Sequence, residues 1–416
     1  MLTVIPKGTK DVLPADSYKW QFIEKKFRNM CDRYGFKEIR TPNFEHTELF
    51  LRGIGDTTDV VQKEMYTFKD HGDRSITLKP EGTAGVVRAF VENNIYAEVQ
   101  PTKIAYDTCC YRYEKPQAGR LREFHQFGCE EFGTPNMLAD AEIISLAYDF
   151  FNELGINDLK LEINSVGCPV CRKNHREALR NYLLPRYDEL CDTCKGRFDK
   201  NPMRILDCKS PKDQEIVKGA PMMLDYLCDD CKAAFEDLKS NLDAMGISYT
   251  VNPMIVRGLD YYTKTAFEFI TNRLGAQSAV CAGGRYDNLV EEIGGPKTPG
   301  VGFGLGKERL LLLMEAYGIE IPKPNTTDLF IATMGEKAKL RGLALKHTLI
   351  KEGLSVQMDN LQRNFKGQFK LADKVKAKYT AVIGDNELEK GVVSLKNMET
   401  GEQTEVAFEN IVKEIM

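Results

Sequence analysis

The chain reads as an α+β protein in two parts. A long N-terminal region combines helices with an antiparallel sheet and is interrupted by a helical, cysteine-rich insert. A small α/β region follows. Three observations carry this reading: a hairpin pattern at 104–133, closely paired cysteines between 168 and 231, and regular strand–helix alternation after 327. At about 100–200 residues per domain, 416 residues suit two or three domains. The net charge of −4, from 57 basic and 61 acidic residues, argues weakly against a nucleic-acid partner for the chain as a whole, so local clustering decides. No apolar run approaches the roughly 20 residues of a membrane span. The start, MLTVIPKGTKDVLPADSYKW, lacks a secretory leader's basic, apolar and cleavage regions, so a cytoplasmic location is expected.

Taken in order, residues 15–35 have helical spacing, with Trp20, Ile23, Phe27 and Met30 on one stripe and Gly35 as a stop. FKEIRTP reads as a short strand ending at Pro42, and AGVVRAFVEN as a helix. The runs IAYDTCCYRYE and FHQFGCEEF flank a polar loop, KPQAGRLRE, and a long helix follows at about 137–154. Strand patterns return at 256–272 and 278–285, and 300–318 runs from strand into helix. IPKPNTT (321–327) is a linker, with two prolines and no periodicity. Beyond it, strands at DLFIATM, LSVQM, YTAVIG, VVSLKN and EQTEVAF alternate with helices from 335 and at 363–376 and end in a last helix, which predicts a largely parallel sheet.

The hairpin has one packed and one charged face. Alternation places Arg112 with Glu114, and Gln126 with Gly128 and Glu130, opposite Tyr111, Tyr113, Phe127 and Cys129. Gly128 clears space between its polar neighbours, so the face reads as a pocket floor rather than a solvated sheet surface. The planar fork of Arg112 suits a phosphate. Glu114 and Glu130 are acceptors for amino or imidazole N–H groups. In GVGFGLGKER, glycines 300, 302, 304 and 306 share one face, against which a flat ligand or another backbone can lie. Arg309 follows in the first helical turn, where a cation opposes the helix dipole and is better explained by a ligand. The GxxxxGKS spacing of a phosphate loop is absent.

Arg112-Tyr113-Glu114, the polar loop with Arg120, Phe124 and the glycine strand with Arg309 resemble the second and third motifs of class II aminoacyl-tRNA synthetases. RGLDYYT (257–263) with AGGRYDNL (282–289) resembles the motif pair of the histidine-specific branch, which typically reads ERPQ where this chain has Glu114-Lys115-Pro116-Gln117. RTPNFEHTELF, with Pro42, is similar to the first class II motif, and the resemblance spans essentially the full chain. It implies a class II catalytic domain with an antiparallel sheet at 1–325, the insert at about 168–240, and an anticodon-binding α/β domain at 326–416. It implies ligation of L-histidine to tRNA(His) through a histidyl-adenylate, with ATP, accompanied by Mg²⁺, consumed and AMP and pyrophosphate released. Arg112 and Arg257 are then the catalytic cations. Arg112, Glu114, Arg120 and Arg309 hold ATP. Glu81 and Thr83 hold the α-ammonium with Gln126 assisting, and Gly82, Arg112 and Arg257, the last near the α-phosphate, belong to the same histidine-binding set. Glu130, Tyr261 and Tyr262 line the imidazole site. Glu81 and Thr83 also suit simple helix-start chemistry. The first motif implies a homodimer. The alternative function is that of a paralogue, a histidine-binding regulatory subunit of ATP phosphoribosyltransferase, which typically lacks the C-terminal domain and has eroded motifs.

Seven cysteines lie in the insert: CPVC (Cys168, Cys171), CDTC (Cys191, Cys194), CDDC (Cys228, Cys231) and Cys208. Paired CxxC units are a strong zinc pattern. Three pairs are nevertheless one too many for a single four-ligand site, and free cytosolic thiols explain them as well. In the resembling family the insert lies over the tRNA acceptor stem. From Lys337 to Lys378, 11 basic residues face three acidic ones, a net +8 that favours an RNA backbone footprint.

Overall fold

In the computed structural model the described residues are 2–55, 58, 60–208, 210–274, 279–324 and 327–415. They divide into two compact units, Met1–Ile321 and Pro322–Met416. Positions 325 and 326, where the sequence reading sets its boundary, and position 278, where it starts a strand, lie outside the described residues.

The strands of the first unit are β1 (Lys37–Glu38), β2 (Phe44–His46), β3 (Tyr66–Lys69), β4 (Ser75–Leu78), β5 (Thr102–Tyr111), β6 (Glu123–Phe132), β7 (Lys160–Ser165), β8 (Thr250–Val251), β9 (Thr263–Ile270), β10 (Ala279–Arg285) and β11 (Gly300–Gly306). Among the described residues they form an eight-stranded sheet in the order β1-β5-β6-β11-β10-β9-β7-β8 and a three-stranded sheet, β2-β4-β3. The large sheet is antiparallel except where β1 pairs with β5 and β7 with β8, as expected of the α+β class.

Strand alternation assigns the two faces. Phe127 and Cys129 of β6, Phe267 and Phe269 of β9, and Val301, Phe303 and Leu305 of β11 turn toward the helices Ser17–Arg33 and Met137–Glu153 and share one core with Ile23, Phe27 and Met30. Phe27 stacks on Phe127 with centroids 4.2 Å apart. Each such large side chain contributes about 1.5–3 kcal/mol by leaving water. The other face is covered at one end by the helix Thr83–Glu92, whose Val86, Val87 and Phe90 pack with Ile104, Tyr106 and Tyr286.

Arg285, at the end of β10, is 0 % exposed. It pairs with Asp140 and Asp287 and donates to the carbonyls of Thr134 and Asn136, which fixes the start of the long helix against the sheet. Removing one partner of such a buried pair costs about 3–5 kcal/mol, so this residue of the AGGRYDNL motif is structural.

Two local expectations are corrected. β5 stops at Tyr111, because the Tyr113 N–H leaves the hairpin to bond the Glu64 carbonyl at 2.7 Å. Tyr113 is therefore exposed rather than core, with the Arg122 guanidinium 3.8 Å above its ring. The strand expected at 256–272 is confined to β9, because 257–262 is a turn tied down from outside the sheet. The Asp260 N–H bonds the Ile54 carbonyl, and the Asn164 amide caps the Pro253 and Ile255 carbonyls.

The insert is helical, with Pro169–Leu183, Asp192–Lys200, Pro211–Ile216 and Asp229–Ala244. The second unit contains β12 (Leu329–Thr333), β13 (Val356–Met358), β14 (Tyr379–Ile383), β15 (Val392–Asn397) and β16 (Gln403–Ala407), in the order β13-β12-β14-β15-β16. β12, β13 and β14 are parallel, but β15 and β16 are antiparallel. The sheet is thus mixed rather than largely parallel. The links into β15 and β16 are shorter than the dozen or so residues a parallel crossover needs. Buried Gln368 joins the helix Phe365–Lys374 to β12, accepting from the Thr333 N–H and donating to its carbonyl. Among the described residues no helix is long and apolar enough to cross a membrane.

Candidate active site

The register of three strands builds the site. β6 lies between β5 and β11, so Glu130 faces Ile104 and Gly302, Gly128 faces Tyr106 and Gly304, and Gln126 faces Thr108 and Gly306. The glycines admit the neighbouring side chains. A Cβ at Gly302 would collide with the Glu130 carboxylate, one at Gly304 with the Gln126 amide, and one at Gly128 with the Tyr106 ring. The space that Gly128 was expected to leave open is thus filled by Tyr106. Of the four glycines in β11, only Gly306 has no side chain pressed on it, the Arg309 chain being 3.8 Å away. The flat open platform expected from the glycine spacing is largely occupied by this strand's neighbours.

Glu130 is 1 % exposed. One carboxylate oxygen accepts from the Thr83 hydroxyl at 2.7 Å and the Tyr106 hydroxyl at 3.0 Å, and the other accepts from the Tyr286 hydroxyl at 2.5 Å. Burial, reinforced by the nearby Glu81 charge and opposed by these hydroxyls, pushes the carboxyl up to about 8. Glu81 is also buried. Its two oxygens accept from the Thr83 and Ala84 N–H groups, both at 2.7 Å, so it closes the N-terminus of the helix Thr83–Glu92. The helix-start reading of Glu81 is therefore correct as far as its present bonds go. Burial outweighs those bonds and raises its carboxyl above the usual range. The Gly82 N–H donates to the Gln126 amide oxygen at 3.2 Å. Glu81, Gly82, Thr83, Gln126 and Glu130 thus form one connected group.

Tyr261 and Tyr262 are buried beside it, with Tyr261 5.6 Å from the Tyr286 ring. Arg257 lies 5.0 Å over the Tyr262 ring and bonds Glu268 at 2.6 Å. Its Nε is buried and unbonded. Glu268 faces Ala282, which faces Gly304, so the Arg257–Glu268 pair stands on the same sheet face as Glu130.

A second group forms where the hairpin ends. Arg112 donates to the Pro80 carbonyl at 2.8 Å and lies 5.5 Å over the Phe124 ring. Glu114 approaches Arg112 at 3.8 Å and Arg120 at 2.9 Å. Arg309 packs against Gly119 in the loop, and burial, then the Arg120 charge, holds its guanidinium below the usual range. Cations crowded in this way are relieved by an anion with several charges.

In the insert the seven cysteines fall into two groups. Cys168, Cys171, Cys228 and Cys231 form one; Cys191, Cys194 and Cys208 form the other, with Asp213. Sequence reasoning missed Asp213, Tyr106 and Tyr286. Tyr106 shares the parity of Arg112 on the first strand and Tyr286 lies inside a motif already quoted, but neither position reveals that its hydroxyl turns toward Glu130.

A family profile described as histidyl-tRNA synthetase matches residues 8–310, and one described as an anticodon binding domain matches 328–416. The histidine–tRNA ligase of Caldanaerobacter subterraneus subsp. tengcongensis is 59% identical over 415 residues, covering 100% of both chains. That of Clostridioides difficile is 57% identical, covering 100% of this chain and 99% of its own. The crystal structure of apo S. aureus histidyl-tRNA synthetase superposes with a TM-score of 0.86 at 42% identity, covering 100% of both chains. A Bacillus halodurans structure named as an ATP phosphoribosyltransferase regulatory subunit/histidyl-tRNA synthetase is similar at the level of fold, with a TM-score of 0.66, 21% identity, and coverage of 92% of this chain and 98% of that one. Identity above half, sustained from the N-terminus through the last helix of full-length relatives, settles the matter: the chain belongs to the histidyl-tRNA synthetase family.

Proposed function

We propose that the chain joins L-histidine to tRNA(His) in two steps, on the catalytic sheet face built around Glu130. The observation that carries this reading is the buried carboxylate of Glu130, held by three hydroxyls, near Glu81 and beside a cluster that contains Tyr106, Tyr261, Tyr262 and Tyr286. Imidazole offers an N–H for a fixed acceptor, and the histidine ammonium offers three more for Glu81, Thr83 and Gln126. Gly82 allows the close approach, since a Cβ there would strike Tyr106. Tyr261 and Tyr262 close the imidazole side.

In the first step a histidine carboxylate oxygen bonds the α-phosphorus of ATP, and the bond to the bridging oxygen of pyrophosphate breaks. The carboxylate is already a nucleophile, so no side-chain base is required. Arg112 and Arg257 offset the charge that builds on the α-phosphate, where fixed donors act most strongly. The unbonded, buried Nε of Arg257 fits that task. Arg120 and Arg309 hold the outer phosphates, and Glu114 accepts from the adenine amino group. Glu114 and Glu268, the carboxylates beside the phosphate-binding cations, would hold Mg²⁺, a hard cation that takes oxygen ligands and would supply charge neutralisation for the leaving pyrophosphate. In the second step a terminal ribose hydroxyl of tRNA attacks the adenylate carbonyl and AMP leaves.

The second unit reads the tRNA. Part of its basic segment is engaged locally: Lys339 with Glu336, Arg363 with Asp359 and Lys378 with Asp328. The remaining cations suit phosphate contacts. The active form is a cytoplasmic homodimer. The twelve cysteines of each chain suit a reducing compartment. Phe44 and Phe68, on one face of the small sheet next to Pro42, are 56% and 48% exposed and supply an apolar patch for a second copy.

Arg257→Ala should slow adenylate formation in single turnover by about 10²–10³-fold, with a smaller effect on histidine affinity, because its contribution is made in the transition state. A variant with normal single-turnover adenylation removes Arg257 from the chemistry.

At pH 7 the empty site keeps Glu130 largely protonated, and the proton leaves as pH rises through about 8. The ionised form is the better imidazole N–H acceptor. The histidine KM in ATP–pyrophosphate exchange should therefore fall by up to roughly eightfold between pH 7 and 8.5, following the ionised fraction. Glu130→Gln should raise that KM, leave the ATP KM unchanged and flatten the pH course. Parallel pH courses for wild type and variant would assign the titration to another group.

Ending the chain at Ile321 should leave exchange largely intact but cripple charging of tRNA(His). Wild-type tRNA affinity should fall steeply with salt and that of the fragment less steeply. A folded, dimeric fragment that charges tRNA at the full-length rate would show that the second unit is not the anticodon reader.

A further inference from the structure

Three CxxC pairs open three helices of the insert in the same manner. Cys168, Cys191 and Cys228 are the N-caps of Pro169–Leu183, Asp192–Lys200 and Asp229–Ala244, and Cys171, Cys194 and Cys231 are the third residues of those helices. An N-cap and a third residue direct both sulfurs to the end where free N–H groups and the helix dipole favour a thiolate. The fold then pairs the first and third of these motifs. Cys168 Sγ lies 3.6 Å from Cys171 Sγ and 3.9 Å from Cys228 Sγ, and all four sulfurs of this group lie within 4.8 Å of one another. Zinc bonded to four thiolates at about 2.3 Å has sulfur–sulfur edges of about 3.8 Å. A disulfide would bring two sulfurs to about 2.05 Å.

The middle pair has no second CxxC to join. Its complement is Cys208, 3.9 Å from Cys191, and Asp213, whose Oδ2 is 3.1 Å from Cys208 Sγ. Asp213 is 0 % exposed. Its other oxygen accepts from the Cys191 N–H at 3.1 Å. A carboxylate buried in that way is costly unless it is paired or binds a metal. The excess of cysteines that one site cannot accommodate is thus resolved by two.

The geometry points to two structural zinc sites in the insert, one formed by Cys168, Cys171, Cys228 and Cys231 and the other by Cys191, Cys194, Cys208 and Asp213. Thiolate-rich, closed tetrahedral sets select zinc over the hard cations magnesium and calcium. The first site joins the helix that enters the insert to the helix that leaves it. It also bears on the active face, since Arg172, next to Cys171, bonds the Val166 carbonyl at 3.2 Å and the Asp260 carbonyl at 3.3 Å. Asp260 lies in the turn that carries Arg257, Tyr261 and Tyr262. The second site closes a short local loop within a core that includes Leu179, Leu190, Phe198, Ile205 and Ile216.

The test is elemental analysis of the full-length protein, purified without chelator from zinc-supplemented cells. Two zinc ions per chain are expected, with one lost in Cys228→Ser and the other in Cys208→Ser. Zinc release by a mercurial reagent, read on wild type, needs no variant: both ions should be freed as the insert thiols react. Cobalt exchanged into the protein should show the visible bands of tetrahedral thiolate coordination, and Asp213→Cys should strengthen them. A folded wild-type protein without zinc, with freely reactive thiols or with disulfides among these cysteines, overturns both sites. Bound iron in place of zinc overturns the assignment of the metal. A single zinc that survives Cys208→Ser overturns the second site alone.

Discussion

Glu130 can be buried on β6 only because its cross-strand neighbour on β11 is Gly302, where any side chain would occupy the carboxylate's place. That steric allowance has a consequence in charge. A buried carboxylate must collect hydrogen bonds, and Thr83, Tyr106 and Tyr286 supply them from a helix, the adjacent strand and the end of β10. The helix Thr83–Glu92, the hairpin and the AGGRYDNL segment are therefore positioned around one atom group. Gly304 does the same for Gln126, and Gly128 for Tyr106. The glycine periodicity of β11 thus works mainly by admitting neighbouring side chains on this face, and its open end at Gly306 leads toward Arg309.

From this face the division of labour follows. The acceptors lie at the Glu130 end. The cations Arg112, Arg120 and Arg309 lie at the loop end, and the Arg257–Glu268 pair stands on the same face. In the proposed reaction a polar amino acid and a triphosphate meeting between these ends bring the reacting carboxylate and α-phosphorus among these donors.

Much of this was legible in the amino-acid sequence, for local reasons. The two-residue period of β11 and of the hairpin, the helical stripe of Ile23, Phe27 and Met30, and the alternation after 327 each depend on a few adjacent residues. What was not legible depended on pairing between distant segments. Tyr106 and Tyr286 look like core residues until strand register turns their hydroxyls toward Glu130. Tyr113 is the converse, an aromatic in core phase that the Glu64 carbonyl draws out of the hairpin. The grouping of the insert's cysteines is likewise tertiary, and Asp213 carries no motif at all. The antiparallel arrangement of β15 and β16 could have been read from the short links before them.

The central claim is that one buried, hydroxyl-bound carboxylate gives this face its selectivity for imidazole. It is tested most directly by amino-acid-dependent exchange of pyrophosphate into ATP, run with each of the twenty amino acids in turn. A site built to hydrogen-bond a polar side chain rejects analogues lacking that group by about 10⁴–10⁵. Histidine alone should therefore drive exchange above background. Comparable exchange with any other amino acid would contradict the account.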